Sequence, residues 1–352
     1  MFASRHVQLL SPYQYGEQPP PARDLIKLNT NENPYPAHAS VARLLKAWPV
    51  ERLRLYPEPT WNALRKAASK TLGVPPEYLA FGNGSDELIA LLFRTFFDPE
   101  DEVVFTQYTY SAYAAYSEAL GIAHRVLPMG DDLTIDLSLL DKLPGKVVFL
   151  TNPNAPTGIA LPVERIAAAV SRHRNRLFIV DEAYADFWGK NCLPLVRKYP
   201  NLLLLRTFSK VNSLCGVRLG YAIGQPDLIQ ALLKVKDPYN VNALTQAIGV
   251  TVFQHYAYYA KNAKKISAIR DRFSRDLADL GFRVLPSSAN FVMASLPGRE
   301  MESLYLDLAK KRIFVRFFNK PGMREWVRIS MGTPAQMKKV LAEIRAWLPR
   351  PG

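Results

Sequence analysis

Residues 177–184 read Leu177-Phe178-Ile179-Val180-Asp181-Glu182-Ala183-Tyr184: four apolar residues, then two carboxylates without a break. A short, continuous apolar run predicts a strand covered on both faces, as in a parallel sheet with helices around it. Val147-Val148-Phe149-Leu150 upstream and Leu202-Leu203-Leu204-Leu205 downstream have the same form. A helical pattern from about Pro162 to His173 separates the first two runs and completes a β-α-β unit. The class is therefore α/β, with a mostly parallel central sheet sandwiched by helices.

Polar residues follow every run. Asn152-Pro153-Asn154 follows the first, Asp181 to Tyr184 the second, and Thr207-Phe208-Ser209-Lys210 the third. In open parallel sheets, ligands bind just beyond the carboxyl ends of the strands. Three clusters that are distant along the chain are thus expected to meet in one pocket.

Outward from this centre, a helix is expected near Thr60, with Leu64, Ala68 and Leu72 on one face and a stop at Gly73. Another opens at Ser85 and buries Leu88, Leu91 and Leu92. A long helical stretch from about Asn242 to Leu280 leads to a second alternating region. Its strand candidates are Phe282 to Leu285, Ala289 to Ala294, Ile313 to Phe317 and Trp326 to Ser330. A last helix opens at Thr333-Pro334 and runs to about Trp347. This pattern divides the chain into an N-terminal arm (1–40), a large α/β domain (41–255) and a smaller α+β domain (256–352) against which the arm packs.

Composition bounds the partners. The 352 residues are 48% hydrophobic, enough for a sizeable core in two domains. No apolar run approaches the roughly 20 residues of a membrane span. The opening MFASRHVQLLSPYQYGEQ is interrupted by Pro12 and does not read as a secretory signal. Cys192 and Cys215 are too few for a disulfide framework and sit in no metal-ligand spacing, so a reducing cytoplasm and no metal are expected. The formal charge of +14 raises nucleic-acid binding, but the basic residues are scattered rather than striped. The densest cluster, Lys261, Lys264 and Lys265, reads as one helix face. The excess is read as a solvated surface that also attracts phosphorylated small molecules.

Taken singly, the site candidates have ordinary readings as well. Lys210, at the end of a buried run, would be a desolvated and nucleophilic amine; in isolation it reads as a surface lysine. Ser209 beside it and Arg218 eight residues on suit a phosphate. Gly82-Asn83-Gly84-Ser85-Asp86 before a helix is either an anion-binding turn or a plain cap by Ser85 or Asp86. Asp181 is expected to be partly buried and to need a cation, either an arginine or a protonated pyridine nitrogen. Tyr184 would reach a ring hydroxyl or merely pack. Tyr110 follows the strand candidate Val103 to Phe105 and would stack on a planar group or join the core.

The ordered set of motifs carries more than its parts. LSPYQYG, KLNTNENPYP, RLYPEP, FGNGSDELI, TYSAY, TNPNAPTG, VDEAYADF, RTFSKVNSLCGVRLGY, DPYNVNALTQA, SSANF and VRISMGT run from Ser11 to about Thr333. Together they resemble the fold-type I pyridoxal-phosphate aminotransferases and, within them, are similar to the histidinol-phosphate aminotransferase family. That resemblance implies pyridoxal 5'-phosphate as cofactor and Lys210 as the lysine that binds its aldehyde and later shuttles a proton between Cα and C4′. It implies that Asp181 pairs with the pyridine nitrogen, Tyr184 bonds the phenolic oxygen and Tyr110 stacks on the ring. The phosphate falls to Ser209, Arg218 and the amides of Ser85 and Asp86, with Tyr56 reaching it from a second subunit of a homodimer. Such enzymes usually carry Asn directly before Pro-Thr-Gly, where it bonds the phenolic oxygen. Here that slot holds Ala155, so either Asn154 substitutes from one position earlier or Tyr184 carries the bond alone.

On the substrate side the resemblance implies Tyr13, Arg316 and Arg328. Two guanidinium groups in one pocket suit a phosphate better than a single carboxylate. The implied reaction is a ping-pong transfer from L-histidinol phosphate to 2-oxoglutarate, giving imidazole-acetol phosphate and glutamate, a step of histidine biosynthesis. Aromatic amino-acid transamination and threonine-phosphate decarboxylation are the alternatives. A regulator borrowing this fold would need an added DNA-binding region, which the motif positions leave no room for.

Overall fold

The three apolar runs lie side by side in the computed structural model, which describes residues 2–13 and 15–349. In chain order the strands are β1 (Ile26–Lys27), β2 (Leu79–Gly82), β3 (Glu102–Thr106), β4 (Ala123–Leu127), β5 (Val147–Thr151), β6 (Leu177–Asp181) and β7 (Leu202–Thr207). After them come β8 (Gly220–Gly224), β9 (Arg283–Val284), β10 (Phe291–Ser295), β11 (Ile313–Phe314), β12 (Arg316–Phe317) and β13 (Val327–Ser330).

Seven strands form the large sheet in the order β2-β8-β7-β6-β5-β3-β4, parallel throughout except where β8 runs against β2 and β7. Every residue of β5 and β7 is buried, which is why their sequences lack the alternation of a one-sided strand. Leu202, Leu203, Leu204 and Leu205 are wholly covered, each burial stabilising the fold by roughly 1.5–3 kcal/mol relative to exposure. The crossover helix spans Val163–Arg172 and returns the chain from β5 to β6, so both strands end at the same sheet edge. There Thr151 and Asp181 are register partners.

The helix expected near Thr60 spans Asn62–Leu72 and stops at Gly73, which adopts the left-handed conformation of a C-cap. The helix Gly84–Phe96 buries Leu88, Leu91 and Leu92 as its spacing predicts. The stretch expected as one helix from Asn242 to Leu280 is two, Ala243–Gln254 and Tyr256–Ala278. His255 leaves helical geometry between them, its amide bonding back to the Val252 carbonyl.

A second, antiparallel sheet has the order β12-β13-β10-β9. The run Ile313 to Phe317, expected as one strand, serves two sheets. β11 pairs with β1 of the N-terminal segment, and β12 pairs with β13. Alternation along a sequence reports burial rather than the pairing partner: Ile313 and Val315 are buried, while Phe314 and Arg316 are half-buried. The last helix, Pro334–Trp347, has Thr333 as N-cap in a reciprocal capping box with Gln336. Among the described residues no helix is long and apolar enough to cross a membrane.

Candidate active site

At the carboxyl edge of β5, β6 and β7 a crevice opens, with an inner chamber of about 210 Å³ and an outer one of about 530 Å³. Both chambers are bounded by Lys210, Tyr184, Tyr110 and Arg218, so they form one continuous space. Two of the three polar clusters expected to converge do so here, through Asp181, Ala183 and Tyr184 and through Thr207, Ser209 and Lys210. Beside the first cluster it is Thr151, Ala155 and Pro156 that line the space rather than Asn152-Pro153-Asn154.

Asp181 ends β6 on the floor of the inner chamber and is only 4% exposed. Tyr113 Oη donates to its Oδ2 at 2.8 Å, and the Ala183 amide donates to its Oδ1 at 3.0 Å. Burial pushes the carboxyl up to about 6, against the pull of those two donors. The nearest candidate cation on the next strand, Arg206, is taken: its Nη2 lies 2.8 Å from Glu182 Oε2, with both side chains buried. Among the described residues Asp181 thus has no arginine of its own, and the ordinary reading of it as a structural ion pair does not hold there. A carboxylate in this position calls for a cation brought in by a ligand.

Lys210 follows β7. Its Nζ donates to the Thr30 carbonyl at 3.0 Å and stands 5.8 Å from the centre of the Tyr184 ring. Tyr184 is buried, its ring edge-on to Phe291 and its hydroxyl bonded to Asn31 Nδ2 at 2.9 Å. The Tyr110 ring also bounds the chamber, fixed by an edge contact with Tyr113 and by a 2.9 Å bond from its hydroxyl to Asp86 Oδ1. Burial, reinforced by Asp86, raises the Tyr110 pKa and keeps that phenol protonated.

An anion cradle lies at one end of the inner chamber. Ser85 and Asp86 occupy the first turn of the helix Gly84–Phe96, where amide N–H groups lack intrahelical acceptors. Gly84 has φ +82°, and a Cβ there would collide with the Arg218 guanidinium. Arg218 itself adopts left-handed backbone geometry, φ 57° and ψ 67°. Its Nη1 lies 3.2 Å from Ser209 Oγ and its Nη2 3.0 Å from Asp86 Oδ2, so it bridges the ends of two elements.

Arg316 and Arg328 are register partners on β12 and β13, and both border the outer chamber. Arg328 donates from Nη2 to the Asn29 carbonyl at 2.8 Å, while its buried Nε has no partner among the described residues. Burial, with Arg316 alongside, lowers the Arg328 pKa to about 10, which leaves it charged at neutral pH. Tyr13 joins this chamber, its hydroxyl 3.0 Å from Ser111 Oγ.

One residue expected at the site stands apart from it, and Tyr56, expected to reach a second subunit, lies outside its own chain's crevice. Asn154 is buried, and its Nδ2 is bonded to the Tyr108 carbonyl and to Thr157 Oγ1, each at 3.0 Å. The wall at that point is Ala155 and Pro156, and the Asn154 amide does not reach the space. Tyr56 is 81% exposed, stacked on Tyr239 with ring centres 4.5 Å apart, away from the crevice of its own chain. Conversely, Tyr113 and Asn31 touch Asp181 and Tyr184 but had no role assigned from the sequence. Tyr113 is detectable as the residue one helical turn after Tyr110 in TYSAY; Asn31 lies in KLNTNENPYP with nothing local to single it out.

The crevice fits pyridoxal 5'-phosphate: a lysine, a buried carboxylate without a cation, a flanking aromatic ring and an anion cradle surround one space. Fold and site together define an aminotransferase of the pyridoxal-phosphate type, and the family model for class I and II aminotransferases matches residues 23–344. The chain is 41% identical over 350 residues to the histidinol-phosphate aminotransferase of Syntrophus aciditrophicus, covering 97% of each. It is 40% identical over 348 residues to that of Chromohalobacter salexigens, covering 98% of each. The chain belongs to the histidinol-phosphate aminotransferase family. Its fold matches the histidinol-phosphate aminotransferase of Sinorhizobium meliloti, solved in complex with pyridoxal-5'-phosphate. The TM-score is 0.88 at 24% identity, over 99% of this chain and 98% of the other.

Proposed function

We propose that this protein transfers the amino group of L-histidinol phosphate to 2-oxoglutarate, yielding imidazole-acetol phosphate and L-glutamate in histidine biosynthesis. The observation that carries the substrate assignment is the Arg316–Arg328 register pair beside the chamber that holds Lys210. Two guanidinium groups on neighbouring strands suit a phosphate dianion, and β-sheet rigidity holds them at fixed spacing. The names of the relatives above point the same way.

Pyridoxal phosphate, when bound, supplies the electron sink for the pair left as the substrate Cα–H bond breaks. Asp181 holds a proton on the ring nitrogen and so keeps that sink strong. Ser209, Arg218 and the first-turn amides of Ser85 and Asp86 fix the phosphate. Tyr110 covers one face of the ring. Lys210 Nζ would bind the cofactor's aldehyde and, once released, would be the amine placed to move the substrate Cα proton, a role that needs a flexible general base. With Ala155 in the usual Asn slot, Tyr184 carries the bond to the phenolic oxygen alone. Tyr13, Arg316 and Arg328 hold the phosphorylated end of the substrate, and alternate binding of donor and acceptor gives ping-pong kinetics.

In this reading residues 41–255 hold the cofactor, while 1–40 and 256–352 supply the substrate side. The working unit is a homodimer in which Tyr56 reaches the neighbouring subunit's phosphate. Cys192 and Cys215 are free thiols, which suits a reducing cytoplasm. Turnover with histidinol phosphate, phenylalanine and threonine phosphate, measured side by side with 2-oxoglutarate, tests the substrate assignment. Histidinol phosphate is expected to give the highest kcat/KM; a preference for phenylalanine, or carbon dioxide release from threonine phosphate, rejects it.

A further inference from the structure

We propose that Asn31 is a positioning residue that makes the Tyr184 hydroxyl an obligate donor into the cofactor chamber, with Ser330 setting the direction of the Asn31 amide. The inference rests on the reading above that Tyr184 serves the phenolic oxygen.

The argument is one of hydrogen-bond polarity. Asn31 and Ser330 are both almost fully buried. The Asn31 backbone N–H lies 3.1 Å from Ser330 Oγ, and a backbone N–H only donates, so the serine oxygen accepts there. The single serine proton is then free for Asn31 Oδ1 at 2.8 Å. That places the carbonyl side of the Asn31 amide toward Ser330 and its NH₂ side toward Tyr184 Oη, 2.9 Å away. Tyr184 therefore accepts from Asn31, and its one proton remains for an acceptor in the chamber. Asn31 reaches both partners from left-handed geometry, φ 58°, which asparagine tolerates better than most side chains. Asn290 Nδ2 holds the Asn31 carbonyl at 3.0 Å and fixes that conformation.

The arrangement matters because this edge has one donor fewer than the family pattern. The Ala155 side chain offers no hydrogen bond, and the donor of Asn154, its Nδ2, is engaged with the Tyr108 carbonyl and Thr157 Oγ1. A tyrosine hydroxyl left to rotate could donate to protein instead of ligand. The Ser330–Asn31 pair removes that choice.

Asn31→Asp keeps size and shape but replaces the donor with an acceptor, which draws the Tyr184 proton away from the chamber. A donor on the phenolic oxygen weakens that oxygen's hold on the neighbouring proton. Its loss should therefore raise the pH midpoint of the bound cofactor's visible band. The test titrates that band in the holoenzyme of wild type, Asn31→Asp, Tyr184→Phe and the double variant, alongside the equilibrium Kd of pyridoxal phosphate for the stripped protein. Asn31→Asp is expected to raise the midpoint by about one unit and weaken the Kd about tenfold. In the Tyr184→Phe background it should move neither, because its effect passes through the hydroxyl. Ser330→Ala, which leaves Asn31 in place, should shift the midpoint in the same direction by less, and it carries the test if Asn31→Asp fails to fold. Shifts of equal size in both backgrounds, or none in the wild-type background, overturn the proposal. A wild-type midpoint in Tyr184→Phe alone would show that Tyr184 is not the donor, overturning the underlying reading and the proposal with it.

Discussion

At the scale of single residues, the site is assembled at the expense of stability, and Asp181 shows it most directly. In the cofactor-free chain its carboxyl titrates at about 6 because it is buried, whereas an unfolded aspartate titrates near its ordinary value. Between those two values the folded chain holds a proton that the unfolded chain releases. The stability associated with that proton is fully present below the unfolded pKa and is lost as pH rises through about 6. Above that pH the folded protein carries a buried charge without a countercharge. Asp181→Asn should therefore stabilise the cofactor-free protein at pH 8, on the order of 1–3 kcal/mol, and give no gain near pH 4. Denaturant melts at the two pH values measure this. The same variant should bind pyridoxal phosphate more weakly, since the ring nitrogen loses its anion. A variant that gains nothing at pH 8 would mean that some other group already neutralises Asp181.

At the scale of elements, the sequence was most legible where burial is two-sided. β5, β6 and β7 announce themselves as uninterrupted apolar runs. Asp181, which ends β6, and Tyr184 and Lys210, three residues beyond the ends of β6 and β7 respectively, inherit a position from the strand before them. Elements whose partners decide their geometry were less legible. The run Ile313 to Phe317 gives no sign that its halves pair with different sheets, nor do the residues around His255 mark where one helix becomes two. Asn31 was opaque for the same reason: its contacts to Tyr184 and Ser330 span 153 and 299 residues. β8 is a further case, since no strand is expected from the sequence over Gly220-Tyr221-Ala222-Ile223-Gly224, which the fold makes a fully buried one. In the fold Gly220 lets β8 approach the start of the helix Gly84–Phe96. A Cβ there would lie 2.5 Å from the Ser85 amide nitrogen and 2.6 Å from the Gly84 carbonyl carbon. Both obstacles are backbone, so the strand and the helix must separate to admit it. Gly220→Ala is expected to cost about 1–3 kcal/mol of stability and to weaken cofactor binding by misplacing the first-turn amides. Melting curves and titration of the stripped protein with pyridoxal phosphate check both parts. Stability lost with cofactor affinity intact would show that the amides do not grip the phosphate.

At the scale of the whole molecule, the unexplained surface lies around Tyr56. Val50, Leu53, Leu55 and Tyr56 are all more than half exposed within one short segment, and Tyr239 stacks against its end. An apolar stretch of this kind on a protein surface calls for a cover, and a two-fold dimer would use the same stretch on both copies. If Tyr56 serves the neighbour's site, its loss and the loss of Lys210 fall on different sites of a mixed dimer. A subunit with Lys210→Ala still lends its Tyr56, and a subunit with Tyr56→Ala still has its own lysine. Refolding the two variants together, in equal amounts, should therefore restore one complete site in each mixed dimer. With random pairing that amounts to about a quarter of the wild-type sites, well above either variant refolded alone. If Tyr56 acted within its own chain, every lysine-bearing site in the mixture would still lack it, and co-refolding would recover nothing beyond the Tyr56→Ala level. Activity of the mixture against that of the separate variants, with dimerisation checked by sedimentation, distinguishes the two arrangements.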